Sequence, residues 1–261
     1  EKGERIVLVQ HGGEYGITDY NILVNEIELK SDFFISWGWA DPKVTSAKIL
    51  PLPSPFHSKI KNKHRFRNDT LMILGGGVRI LNSRVHWWTR SNLPGRYYGD
   101  ALKFIQSLEE EPQNSITFKP YNRWASEIDT IDFVKDKFPN IKINEGDFNS
   151  ALLSCRLIVF YSFGTTMNFT MAANVPTVVY LSPDLMIPNK YAEPFFNPLR
   201  ECGILHDSPL EAAKHVNSIW HDVETWWMGE KVQKARNEWA HNFAQTSKFW
   251  WWEWMKALKH I

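Results

Sequence analysis

Apolar runs and amphipathic stretches alternate along the whole chain. Arg5 to Gln10 reads as a strand, and Asp19 to Lys30 as a helix with Thr18 as cap and Ile22, Leu23 and Ile27 on its apolar face. Phe33 to Trp37 and Ala47 to Leu50 read as short strands. Pro51, Pro53 and Pro55 then interrupt regular structure, and the basic, polar stretch Lys59 to Asp69 reads as a linker. Leu71 to Leu74 starts a new strand. Asp100 to Glu110 predicts a helix, Ser115 to Lys119 a strand, Ser126 to Phe138 a helix, Ile141 to Asn144 a strand and Phe148 to Ser154 a short helix. Leu157 to Tyr161, Thr166 to Ala173 and Thr177 to Leu181 follow as strand, helix and strand. Pro198 to Cys202, Pro209 to Trp220 and a long terminal stretch, Lys231 to Lys259, read as helices.

This alternation, with near-continuous apolar strands, predicts a parallel sheet covered on both faces. Ligands of such sheets bind beyond the C-terminal ends of the strands. Three segments lie at such ends: Ser162-Phe163-Gly164-Thr165-Thr166, Gly75-Gly76-Gly77, and Lys119-Pro120-Tyr121. The first is a small hydroxyl-rich turn opening a helix. Backbone N–H groups and the positive end of the helix dipole suit a phosphate there. Gly164 permits close approach of a ligand. Lys119 and Arg123 flank a rigid Pro120-Tyr121 turn and offer cations for phosphate. Gly76 and Arg79 offer a second phosphate or sugar contact.

At the first strand end, Gln10-His11-Gly12-Gly13-Glu14-Tyr15-Gly16 places a His and a Glu beside three glycines, the materials for a general base close to substrate. The plain alternative is a tight turn in which His11 satisfies a backbone group. Glu26 and Glu28 are two residues apart, so at most one can face a site; Glu26 is carried forward with His11 and Glu14 as a catalytic candidate. His86, Trp87, Trp88 and Arg90, with Arg96 to Tyr98, suit a lid or acceptor surface, or simply a packed aromatic loop.

The 261 residues allow one large or two small domains, and a net charge of +1 shows no nucleic-acid footprint. Cys155 and Cys202 form no metal or disulfide pattern and are expected as buried reduced thiols in a cytoplasmic protein. Walker, dinucleotide and nucleophile-elbow motifs are absent, as is any metal-ligand spacing, so no metal and no cofactor are expected. No apolar run is long enough to span a bilayer. The chain starts at Glu1 with a strand close behind, as the later part of a longer protein would. Thirteen tryptophans are many for this length, and Trp226, Trp227, Trp239, Trp250 to Trp252 and Trp254 crowd the C-terminal end. A helix packed on a neighbouring domain is expected there; an interfacial helix touching the inner face of the plasma membrane, helped by Lys248, Lys256 and Lys259, is the sharper alternative.

Asp147-Phe148-Asn149-Ser150-Ala151-Leu152-Leu153 and the block Leu157 to Thr177 resemble the later part of GT-B glycosyltransferases. His11-Gly12-Gly13 with Ser36-Trp37-Gly38-Trp39 is similar to transferases of bacterial O-antigen and surface-carbohydrate gene clusters. That resemblance implies an α/β, GT-B-like fold. It comprises the end of an acceptor-side Rossmann-like domain (1–60), a nucleotide-sugar-binding Rossmann-like domain (61–230) and a Trp-rich helix (231–261) packing across them. It implies metal-independent sugar transfer from a nucleotide sugar to a carbohydrate or lipid-linked glycan acceptor. Ser162, Gly164, Thr165 and Thr166 would hold donor phosphate, Lys119 and Arg123 would offset leaving-group charge, and His11 or Glu14 would act as base. Many such proteins carry a ribose-binding Glu where this chain has Phe169, which favours a CMP- or CDP-linked donor. A polyol-phosphate transferase, a sugar-nucleotide epimerase and a non-catalytic nucleotide- or glycan-binding module remain as alternatives.

Overall fold

The computed structural model describes residues 3–18, 25–41, 43–44, 46–66, 69–75, 93–120, 130–161 and 163–261. Two parallel sheets organise the chain. Strands β1 (Val7–Val9), β2 (Phe33–Ser36) and β3 (Lys48–Pro51) form the first, in sequential order. The second has six strands: β4 (Leu71–Leu74), β5 (Ile116–Lys119), β6 (Lys142–Ile143), β7 (Leu157–Phe160), β8 (Thr177–Tyr180) and β9 (Leu205–His206). Its order is β6-β5-β4-β7-β8-β9, parallel throughout. The winding direction reverses between β4 and β7. Crevices outside the strand ends open at such a reversal.

Helices pack around these sheets. They are α1 (Pro55–Ile60), α2 (Leu93–Gln106), α3 (Glu110–Asn114), α4 (Thr130–Lys137), α5 (Phe148–Leu152), α6 (Thr165–Ala173), α7 (Phe196–Glu201), α8 (Pro209–Ile219), α9 (Val223–Met228), α10 (Glu230–Phe243) and α11 (Trp250–Leu258). Strands β4, β7 and β8 are buried at every position, which is why their sequences are unbroken apolar runs. Their side chains still alternate. Leu71, Ile73, Leu157, Val159 and Val178 face a core with Phe104, Val216 and Trp220. Met72, Ile158, Phe160 and Val179 face the other way, into a core that continues through Phe169 and Trp239 to Tyr15, Phe34 and Trp39 of the first sheet's unit. One hydrophobic cluster therefore joins the two sheets.

The structure differs from the sequence expectations at several places. The proline-rich stretch after β3 was expected to lack structure, yet Pro55 sits in the first turn of α1, where its missing N–H costs nothing, and Ser54 caps it by accepting from the His57 N–H at 3.3 Å. The expected linker is not free: Asn62 and His64 donate main-chain bonds to the Ala172 and Ala173 carbonyls, and the His64 ring bonds Cys155 O at 2.8 Å. Of the helix expected at Asp19 to Lys30, residues 19–24 lie outside the described residues, and Glu28–Lys30 form a single 3-10 turn. The long terminal helix is two. It breaks after Phe243 because Gln245 spends its backbone on the first sheet's unit, donating to Trp37 O and accepting from Ser54 N, both at 2.9 Å. Cys155 and Cys202 are free and buried.

Candidate active site

Two loops at strand ends meet. One leaves β1 through Gly12, Gly13 and Glu14; the other leaves β7 and opens α6. They touch so closely that a Cβ on Gly13 would lie 2.1 Å from the Gly164 carbonyl carbon and 2.2 Å from the Thr165 nitrogen. Only glycine fits there. The β1 loop is held from below by buried Gln10. Its Oε1 accepts from the Trp37 N–H and the Trp39 indole, both at 2.8 Å, and its Nε2 donates to Gly12 O at 2.7 Å. Trp39 in turn lies under Gly16, whose positive φ of +75° and contact with that ring both require glycine. Thus Trp37-Gly38-Trp39 shapes the His-Gly-Gly loop rather than binding substrate itself.

On the facing side, α6 starts at Gly164 with no described side chain capping it. Thr165 is exposed and Thr166 half-buried. The turn sits at the carboxyl end of β7, beside the reversal point, so the N-terminal N–H groups of α6 face the crevice. Asn168, fully buried on α6, ties the loops together: its Nδ2 donates to Gly13 O at 3.3 Å and its Oδ1 accepts from the Trp239 indole at 3.1 Å. Phe169 points away, into the core against Phe56 and Phe148.

The titratable groups separate into roles. Glu14 Oε1 stands 3.4 Å from where a Cβ on Gly164 would lie, and burial pushes its carboxyl up to about 9. His11 is exposed, with Nε2 3.1 Å from Glu28 Oε1 and 2.6 Å from the Tyr15 hydroxyl. Burial and the Glu28 carboxylate push the Tyr15 phenol well above its ordinary range, so it stays a donor. Glu28, not Glu26, faces this cluster. Glu26 is exposed and pairs with Lys30 at 3.6 Å. Glu28 and Tyr15 are the residues that sequence reasoning passed over; the spacing showed that only one Glu could face inward, and the 3-10 turn decides which.

Lys119 is buried, with its ammonium donating to Asn144 O at 3.0 Å and Gly146 O at 2.6 Å. It braces the loop after β6, where Asp147 caps α5, and two of its three protons are used there. Pro120 is half-buried beside it. Tyr121, Arg123, Ser162, Gly76 and Arg79 lie outside the described residues, as do His86 to Arg90. Among the described residues, no group of three His, Cys, Asp or Glu gathers in a way that could hold a metal ion.

The profile of the LIC12162 family of transferases matches residues 1–258. Among solved structures, TarM superposes over 98% of this chain and 50% of its own, with a TM-score of 0.52 and 14% identity. At that identity the likeness shows fold alone, the α/β, GT-B-like class implied by the sequence. WaaG, a glycosyltransferase involved in lipopolysaccharide biosynthesis, aligns over 81% of this chain and 55% of its own (TM-score 0.41, 12% identity). The spinosyn forosaminyltransferase SpnP aligns over 80% and 51% (TM-score 0.40, 13% identity). The chain thus spans about half the length of the solved structures it matches. No curated protein sequence matches it.

Proposed function

We propose that this chain, which belongs to the LIC12162 family of transferases, moves a sugar from a nucleotide-sugar donor to a carbohydrate or lipid-linked glycan acceptor. One observation carries the reading: the His11-Gly12-Gly13-Glu14 loop of one parallel sheet is seated on the N-terminus of α6 in the other, at the reversal point of the strand order. On this reading the loop supplies the base and the helix end the phosphate seat.

The donor phosphate sits on the α6 N-terminus, where N–H groups and the helix dipole favour an anion, with the Thr165 and Thr166 hydroxyls beside it. His11 takes the acceptor proton. With Nε2–H and the Tyr15 hydroxyl both directed at the Glu28 carboxylate, Nδ1 keeps its lone pair for the acceptor hydroxyl. The acceptor oxygen then bonds the sugar's anomeric carbon as the bond from that carbon to the phosphate oxygen breaks. The departing nucleotide's charge is met by the helix end. Glu14 is the poorer base: with its carboxyl pushed up to about 9 by burial, it is mostly protonated near neutral pH. Its protonated form instead donates a hydrogen bond toward the phosphate on the Gly164 turn. Lys119 supports this site indirectly by fixing the loop after β6.

Within this class a cytidine nucleotide is favoured. The resemblance of the Lys119-Pro120 turn and the hydroxyl turn to that donor pattern supports this; Phe169, packed into the core, does not bear on it. Surface-polysaccharide assembly is the setting that the resemblance of the sequence supports.

The test is turnover. Purified protein is offered CMP-, CDP-, UDP- and GDP-linked sugars with glycan acceptors, and free nucleotide and product are followed by mass spectrometry. Acceptor-dependent nucleotide release with a phosphorus-free added unit supports the reading. A phosphorus-bearing unit means polyol-phosphate transfer. Conversion of the donor without acceptor means epimerisation. Either result overturns it.

A further inference from the structure

Helix α11 is amphipathic in the wrong sense for a buried helix. Trp251, Trp252, Met255 and Leu258, at helical spacings of three, four and seven, share one face, and that face is turned outward, with Trp251 52%, Trp252 44% and Leu258 47% exposed. Phe249, just before the helix, is 55% exposed. The other side anchors the helix to the first sheet's unit, where the Trp254 indole donates to Pro53 O at 2.8 Å. Soluble surfaces rarely carry so many contiguous large apolar side chains without a partner.

Charge identifies the partner. Lys256 lies 5.0 Å over the Trp252 ring and Lys248 5.6 Å over Phe249, and Lys259 is on the same outward side. The helix has a single carboxylate, Glu253, which is half-exposed and stands at the i, i+3 spacing that puts it beside Lys256. Helix α1, against which α11 packs, exposes Lys59 and leads directly into exposed Lys61, Lys63 and Arg65. Three lysines against one acid, among exposed aromatic side chains, match an anionic bilayer surface, where indole N–H groups and ammonium groups meet headgroups while the rings enter the acyl boundary. No helix among the described residues is long and apolar enough to cross a membrane, so this one lies in the interface plane.

We propose that α11, with Lys248, Lys256 and Lys259, is a docking surface for membranes rich in anionic phospholipid; on the function proposed above, docking holds the crevice near a lipid-borne acceptor. No side chain of this face takes part in the Gly13–Gly164 contact, so docking is read separately from turnover.

The test is vesicle flotation of the full chain with phosphatidylcholine vesicles and with vesicles containing phosphatidylglycerol. The wild type floats with the anionic vesicles and is released by salt. Lys256→Glu with Lys259→Glu weakens partitioning about fivefold or more per lysine. Trp251→Ser with Trp252→Ser abolishes flotation, while melting and nucleotide binding stay at wild-type values because these side chains support neither. Two outcomes overturn the proposal. One is equal flotation of wild type and the Trp251→Ser/Trp252→Ser variant. The other is a wild type that does not float but forms a dimer by light scattering that these substitutions dissolve, which would assign the face to a second copy of the chain.

Discussion

Gly13→Ala tests the contact on which the site depends. The added Cβ would lie 2.1 Å from Gly164 C, 2.2 Å from Thr165 N and 2.4 Å from Gly164 O. Non-bonded heavy atoms settle at roughly 3.5–4.0 Å, so loop and turn must part by about 1.5 Å. All three neighbours are main-chain atoms of the α6 N-terminus, and no rotamer change relieves the overlap. Forced repacking of this kind costs about 1–3 kcal/mol. At roughly 2–4 °C per kcal/mol for a chain of this size, the melting temperature should fall by ~2–12 °C. A displacement of an ångström or more between base and donor should lower turnover about 10²-fold. Calorimetry reads the melting, thermal shift with saturating nucleotide the protection, and steady-state kinetics the turnover. Gly12→Ala is the control, because its Cβ would meet the Tyr15 ring at 3.3 Å rather than main chain near 2 Å, and should be milder. Unchanged melting, nucleotide protection and turnover in Gly13→Ala would refute the account of this contact.

Other substitutions separate the roles at the site. His11→Ala should lower turnover by about 10²–10⁴ with nucleotide protection intact, and Glu28→Gln should act in the same direction, while Glu26→Gln should do little; steady-state kinetics decides. Glu14→Gln copies the protonated carboxyl and should keep turnover within a few-fold, whereas a Glu14 base would lose at least about 10². Its stability effect also has a sign: between about pH 4.5 and about 9 the unfolded chain releases the Glu14 proton and the folded chain keeps it, so stability falls as pH rises, and Glu14→Gln should flatten that slope in denaturant titrations. Asn168→Ala strips partners from Gly13 O and the Trp239 indole and should cost about 1–3 kcal/mol by urea unfolding. His57 is buried against Trp37 and burial lowers its pKa to about 4, so stability should drop as pH falls from about 6.5 to about 4, and His57→Phe should reduce that drop.

The fold was readable where one physical signal dominated. Leu71 to Leu74, Leu157 to Phe160 and Thr177 to Tyr180 are unbroken apolar runs, and the structure makes each a strand buried on both faces. Ser208 and Asp147 cap their helices in the structure, each side chain accepting from the N–H three residues on. The signal failed where tertiary contacts outbid local preference. Pro55 reads as a breaker and starts a helix, and residues 244–249 read as helix until Gln245 is engaged by Trp37 and Ser54. The turn after β7 and the His-Gly-Gly loop were each legible as strand-end loops. That they touch was not, because a close glycine contact across 151 residues leaves no periodic trace in sequence. Nor was the choice of Glu28 over Glu26, which depends on the phase of a single 3-10 turn. The outward face of α11 was hidden because a helical stripe of Trp and Leu reads equally as core.

The central claim is that nucleotide binds where the β1 loop meets the N-terminus of α6. Hydrogen exchange of the chain with and without saturating CMP, CDP, UDP or GDP measures it directly. The account predicts that at least one nucleotide protects residues 11–14 and 163–168 together. Protection confined to other segments, or none with any of the four, would contradict it.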